Sequence, residues 1–280
     1  MRKSFSLDDE DELSCLVMNA EKKKRIAIFD LDGTIHKGNF LSALYEASNA
    51  DLAYNLFFSL FSDAPKKIPP YIINGSRILY EVIAHKFSGM KNEDKNPSEF
   101  EEKLIREFSE KILYGLPLST IEKASQKIPN KAYPYSKECV REIAKCSDKT
   151  LFISKTFIPV LEAYQREMRE NYSTEIDIIG NRLETLEGRI TGLNMERPIL
   201  SSADKRREIE RIIPRYESAI FFVNSEDDLG MFDASDNAGF KGALKIAMNG
   251  SSEKVIERCD AYFSSWIPIK MMIEKYFAFH

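Results

Sequence analysis

Asp30 and Asp32 stand one residue apart directly behind the apolar run Ile26–Phe29, and Gly33 and Thr34 follow them. Two carboxylates at the end of a buried strand are costly unless something of opposite charge shares the space. Three further groups lie far along the chain. Ser154 ends the apolar stretch TLFIS. Lys205 sits in the charged run Asp204-Lys205-Arg206-Arg207. Asn224, Ser225, Asp227 and Asp228 follow the apolar stretch AIFFV. Two carboxylates, a hydroxyl, a lysine and an acidic cluster suit phosphoryl transfer. One carboxylate attacks phosphorus and forms an aspartyl-phosphate. A second protonates the leaving oxygen and then takes a proton from water. Mg²⁺ bound by carboxylate and carbonyl oxygens offsets the crowded charge. The lysine and hydroxyl steady the phosphoryl oxygens. Gly33 permits the tight turn that presents the pair, and Thr34 can hydrogen-bond that turn.

Each feature alone has a plainer explanation. A lone D-x-D is an ordinary solvated turn, Ser154 a helix N-cap, Lys205 part of a solvated helix face, and Glu226-Asp227-Asp228 charge that favours a helix N-terminus. An EF-hand loop is excluded, because Gly33 stands fourth rather than sixth from Asp30 and Leu41 occupies the twelfth place. The order and spacing of all four features favour the chemistry.

The elements that would bring them together follow from periodicity. Strands are expected at 25–30, 149–154, 176–179, 219–223 and 243–248. Helices are expected at 40–61, 70–87, 98–113, 117–127, 135–147, 157–171, 202–213, 228–235 and 267–277, and a hairpin over 180–192 turning at Glu187-Gly188. Strands alternating with helices imply βαβ units and a parallel sheet, an α/β Rossmann-like core. In such sheets ligands gather at the C-terminal strand ends, where these groups fall. The long helical stretch between the first two strands reads as an inserted helical cap domain. The division is an N-terminal extension 1–24, a core of 25–36 and 134–280, and a cap 37–133.

Composition bounds the rest. The chain has 280 residues, 43% hydrophobic and 30% charged, with a net charge of −4. That balance argues against a surface built for nucleic acid. The four cysteines form no C-x-x-C pair, which suits reduced thiols and a cytoplasmic protein. Cys139 and Cys146 share a helix face and read as core. Three histidines, His36, His85 and His280, make a His-rich zinc site improbable. Residues 1–24 carry acidic and basic runs without the apolar centre of a signal peptide and read as a solvated tail or short helix. The most apolar window, Leu52–Phe61, is too short to span a bilayer and reads as a cap or core helix. Oligomeric state leaves no trace in the sequence.

The chain resembles the haloacid dehalogenase-like superfamily, within it the phosphoserine-phosphatase-like branch. The carrying motifs are Asp30-Leu-Asp32-Gly-Thr34, the strand ending LFIS at Ser154, Lys205, and VNSEDDLGM from Val223 to Met231. GNRLETLEGRITG (180–192), ALKIAMNG (243–250) and CDAYFSS (259–265) are also similar. The match covers residues 25–36 and 134–265. The resemblance implies a Mg²⁺-dependent phosphatase for a small phosphomonoester, with Asp30 as nucleophile and Asp32 as general acid/base. It further implies Ser154 and Lys205 at the phosphoryl group, and Asp30, Asp32, Asn224 and Asp228 at the metal. Gly33, Thr34, Lys155, Thr156 and Asn39 would line the substrate.

Three positions depart from the family pattern. Asn224 replaces a metal-binding aspartate, keeping an oxygen but losing a charge. Lys155-Thr156 stands where the branch has glycines. Asn39 replaces a cap glutamate that meets the substrate ammonium, which points away from phosphoserine itself. Lys155 either meets an anionic part of the substrate or faces solvent. A second reading, motivated by Asn224, is a catalytically weak relative that binds a phosphorylated ligand or a protein partner.

Overall fold

The computed structural model describes residues 24–37, 102–103, 105–106, 108–237 and 242–279. In chain order the named elements are β1 (Arg25–Asp30), a π-helical turn (Phe108–Ile112), α1 (Leu118–Ser125), α2 (Ser136–Lys145), β2 (Lys149–Phe157), α3 (Ile158–Tyr172) and β3 (Asp177–Asn181). There follow β4 (Leu183–Leu186), β5 (Arg189–Leu193), α4 (Ser202–Ile212), β6 (Ser218–Val223), α5 (Leu229–Asn237), β7 (Ala243–Met248), α6 (Glu253–Ile256), β8 (Ala261–Phe263) and α7 (Trp266–Phe279). The helices expected at 40–61 and 70–87, the tail, Asn39 and the window Leu52–Phe61 lie outside the described residues.

Six strands form one parallel sheet in the order β3-β2-β1-β6-β7-β8. Every residue of β1 is buried, because it lies mid-sheet with both faces covered. Ile26 and Ile28 point into one apolar layer with Leu151, Ile153, Phe221 and Val223. Ala27 and Phe29 point into the other with Phe152, Phe222 and Trp266. On that second face Phe29 stacks on Phe222 at 4.6 Å between ring centroids, and Phe222 on Trp266 at 5.4 Å. The α/β class expected from the alternation is the architecture found.

The hairpin β4–β5 turns at Glu187 and Gly188, both at positive φ (51° and 75°), as a tight two-residue hairpin requires. Helix α1 places Ile121 and Ala124 in the apolar layer that also contains Phe29, so residues 118–125 pack against the sheet's own helices.

Two expectations need correction. The strand expected to stop at Ser154 runs on to Phe157. Its pairing with β3 slips between Ile153 and Phe157, so an irregularity sits where a clean end was expected. Strand β8, only three residues long, was not foreseen, since AYF is too short to show a period.

Helices α4 and α5 approach very closely. A Cβ on Gly230 would lie 2.0 Å from the Ser202 carbonyl oxygen, and the Gly230 N–H donates to Ser202 Oγ at 2.8 Å. Gly230→Ala is therefore expected to force the helices apart and cost on the order of 2 kcal/mol. Urea unfolding measures this; an unchanged midpoint would mean that the helices separate freely.

Candidate active site

Asp30 ends β1, and the connections diverge on either side of that strand, to β2 one way and β6 the other. Crevices of this kind collect ligands. The backbone after Asp30 turns sharply. Gly33 has φ +78°, its N–H donates to the His36 carbonyl at 2.8 Å, and an added Cβ would lie 2.0 Å from the Asn224 amide group. Asn249 Nδ2 donates to the carbonyls of Gly33 (3.0 Å) and Thr34 (2.8 Å). Trp266 Nε1 donates to the Thr34 carbonyl at 2.8 Å. The turn is thus held from β7 and α7 as well as from its own strand.

Lys205 reaches this site because Ser201 and Asp204 cap α4 reciprocally, which fixes the first helical turn. Its side chain is 3% exposed, and the ammonium bonds Asp30 Oδ1 at 2.6 Å and Asp228 Oδ1 at 2.5 Å. The solvated helix face that DKRR suggested is found for Arg206 and Arg207, whereas Asp204 and Lys205 are buried. Asp228 Oδ2 accepts from the backbone N–H groups of Asn224 (3.2 Å) and Ser225 (3.0 Å) and from Ser225 Oγ (3.0 Å). Both Asp228 oxygens therefore serve donors, and the residue anchors Lys205.

Asp32 is in a different setting. Its Oδ2 accepts a hydrogen bond from Ser154 Oγ at 3.1 Å. Ser154 Oγ in turn accepts from the Thr156 N–H at 3.0 Å. Ser154 is not a helix N-cap, because Phe157 holds that place; the irregular end of β2 aims its hydroxyl at Asp32 instead.

Burial pushes the Asp30 carboxyl well above the usual range, and the charge of Asp228 adds to this; Lys205 opposes it. Burial alone would lower the Lys205 ammonium, but the charges of Asp228 and Asp30 overcome it and raise it above its ordinary value. Lys205 therefore stays charged.

The remaining expected residues are placed as follows. Thr34 Oγ1 lies 3.5 Å from Asp30 Oδ2. Lys155 is largely buried and pairs with Asp227 at 2.8 Å, so it does not simply face solvent. Thr156 is fully buried. Missing from the sequence reading were Asn249, Trp266 and Asn181. Asn181 Nδ2 donates to the Lys155 carbonyl (2.6 Å) and the Ile199 carbonyl (2.9 Å), and its Oδ1 accepts from the Ile199 N–H (2.8 Å). It ties the end of β2 to the chain entering α4. The stretches GNRL and AMNG were noticed, and a polar amide beside a strand end was the available signal.

Asp30, the Asp32 carbonyl and the Asn224 amide, three oxygen-bearing groups, converge. The inner atom of the Asn224 side-chain amide lies 2.8 Å from the Asp32 carbonyl oxygen and 3.3 Å from Asp30 Oδ2. Oxygens at 2.0–2.1 Å from Mg²⁺ are about 2.9 Å apart along an octahedron edge. The two separations lie close to that edge, so these residues would suit such an ion were the amide to present its oxygen. Among the described residues no three His, Cys, Asp or Glu side chains gather as a ligand set. Asp30 would be the one charged ligand in the trio.

Behind the turn, His36 Nδ1 lies 3.0 Å from the Tyr164 hydroxyl. Its Nε2 is buried without a hydrogen-bond partner among the described residues. Burial, and secondarily Lys131, pushes the imidazole down to about 4. A depressed pKa means that this contribution to stability is full above about 6.5, the unfolded value, and is lost as pH falls toward 4. Between pH 7 and 5 the loss is roughly 2 kcal/mol. His36→Gln is expected to lack that component, which urea midpoints of both proteins at the two pH values would show; parallel losses would rule out His36 as their source.

Neither a protein-family model nor a curated protein sequence matches the chain. Solved structures do. Cytosolic 5'-nucleotidase IIIB bound to cytidine superposes with a TM-score of 0.60 at 14% identity, over 100% of this chain and 94% of that one. A probable phosphoserine phosphatase from Vibrio cholerae gives 0.58 at 16% identity, over 93% of this chain and 65% of that one. A phosphoserine phosphohydrolase-like protein from Francisella tularensis gives 0.55 at 15% identity, over 89% and 99%. Among the described residues no helix is long and apolar enough to cross a membrane. With its six parallel strands and the groups gathered at their C-terminal edge, the chain has the α/β fold of these nucleotidase and phosphoserine phosphatase structures.

Proposed function

We propose that the chain is a phosphatase that hydrolyses a small phosphomonoester through an aspartyl-phosphate on Asp30. The observation that carries this is the unlike setting of two neighbouring carboxylates. Asp30 is clamped by a buried lysine, while Asp32 is hydrogen-bonded to a serine. Groups with such different surroundings can take different roles. Asp30 Oδ attacks phosphorus, and the bond from phosphorus to the leaving oxygen breaks. Asp32, as the acid, gives that oxygen its proton. Asp32 then takes a proton from water, whose oxygen attacks the phosphorus and releases Asp30 and inorganic phosphate. Lys205, already beside Asp30, holds a phosphoryl oxygen as charge develops, and Ser154 orients Asp32.

Mg²⁺ held by Asp30, the Asp32 carbonyl and Asn224 would offset the charge of the nucleophile and the phosphate. Residues 37–133 would form the cap and choose the substrate. The nucleotidase and phosphoserine phosphatase likenesses support the phosphomonoester class. Asn39 points away from phosphoserine within it.

The test is release of inorganic phosphate from a panel of phosphomonoesters, nucleoside monophosphates included, with Mg²⁺ and with chelator, beside Asp30→Asn. Mg²⁺-dependent release that the variant lacks supports the reading. Asn224 favours a second reading, a catalytically weak relative that binds a phosphorylated ligand. Binding of a phosphomonoester without release would establish that one.

A further inference from the structure

We infer that Asn224 closes the metal site of the metal-free protein with its own amide nitrogen, so that a divalent cation enters only as that amide turns over. The inference rests on the trio described above being the metal site of the proposed phosphatase.

The inner position of the Asn224 amide is surrounded by oxygen. The Asp32 carbonyl lies at 2.8 Å, Asp30 Oδ2 at 3.3 Å and Thr34 Oγ1 at 3.3 Å. A carbonyl has no hydrogen to give, and neither has the Asp30 carboxylate, which the Lys205 ammonium at 2.6 Å holds ionised. An amide oxygen in that place would face both with nothing between, its one donor being the Thr34 hydroxyl at 3.3 Å. A nitrogen there donates to all three groups, sharing its two hydrogens. The NH₂ group thus does, weakly, what a cation would do: it presents positive charge to Asp30 and to the Asp32 carbonyl.

A cation reverses the requirement, because Mg²⁺ takes oxygen ligands. Rotation of the terminal amide by half a turn exchanges nitrogen for oxygen and needs no backbone movement. The neighbouring turn cannot yield instead, since Gly33 abuts the same amide and its carbonyl is held by Asn249. An aspartate at 224 has only acceptors at both ends. It would bind the cation more tightly and leave the metal-free site with unscreened carboxylates. Asparagine therefore gives a site that is intact without metal and takes metal weakly.

The experiment uses the full chain and its Asn224→Asp variant, with thermal unfolding followed in EDTA and over a Mg²⁺ titration. In EDTA the variant is expected to melt about 5 °C or more below the parent. Added Mg²⁺ is expected to raise its Tm more than that of the parent, with half the effect at a tenfold lower concentration or less. Equal Tm values in EDTA, or equal Mg²⁺ responses, overturn the inference. No Mg²⁺ response in either protein also overturns it. The phosphatase reading falls on different evidence, namely phosphate release that survives Asp30→Asn.

If Asn224→Asp does not fold, the parent alone decides. Its Asn224 side-chain NH₂ resonances, identified by their absence in Asn224→Ser, are expected to be protected from solvent exchange in EDTA. They should move and lose protection as Mg²⁺ is added. NH₂ signals that exchange freely in EDTA, or ignore Mg²⁺, contradict the amide closure.

Discussion

Lys205→Met is expected to cost roughly 3–5 kcal/mol of stability at pH 7 and to abolish phosphate release. The lysine is 3% exposed and is the cation between Asp30 and Asp228, which are 4% and 0% exposed. Methionine fills much of the same volume but leaves two carboxylates buried side by side. Neither can be rehydrated without opening the sheet edge, so the cost is that of stranded charge and not of a cavity. The two causes separate by pH. Stranded carboxylates take up protons in the folded state more readily than in the unfolded one, so the deficit should shrink as pH falls from 7 to 5. Urea unfolding of parent and variant at both pH values checks this. A deficit of equal size at both would place the cost in packing.

Asp30→Asn is expected to do the opposite, removing at least about a thousandfold of turnover while leaving the unfolding free energy within about 1 kcal/mol of the parent. An amide cannot form the phosphoryl bond that the proposed reaction needs. Structurally the exchange is mild. It relieves the crowding of Asp30 with Asp228 and Asp32, the same crowding that helps hold its carboxyl above the usual range. It also leaves one amide hydrogen facing a donor, which offsets part of that gain. Phosphate release and urea unfolding measured on one preparation give both halves. In the double variant the deficit of Lys205→Met should be partly restored, by 1 kcal/mol or more of coupling, because one of the two stranded charges is gone.

Much of this site was legible in the sequence, for reasons that differ from residue to residue. The strand before Asp30 is a continuous apolar run because both its faces are covered, and such runs show plainly. Asp30, Asp32 and Gly33 stand out because carboxylates and a positive-φ glycine are out of place there unless a turn requires them. Lys205 was harder. The run DKRR looks solvated, and only the reciprocal cap of Ser201 and Asp204 turns that one side chain inward. The end of β2 was misjudged because pairing with β3 slips there, and a slip leaves no period to read. Asn249 and Trp266 hold the turn after Asp30 from the far end of the chain. No local pattern announces such a partner, since it exists only after the sheet has formed. Which way the Asn224 amide faces depends in the same way on three groups that the fold collects.

The position of β1 in the sheet also orders events in time. Its two hydrogen-bonding neighbours start at Lys149 and Ser218. A ribosome adding roughly 5–20 residues per second takes on the order of ten seconds or more to reach them after Asp30. Until β2 has been made the nascent chain carries an apolar segment with both edges unpaired, and until β6 has been made one edge stays so, the condition that invites association with other chains. Helper proteins that shield such segments should therefore matter most while the first half of this polypeptide is emerging. A message truncated before Ser218 would yield a product that cannot bury Asp30 at the centre of its sheet.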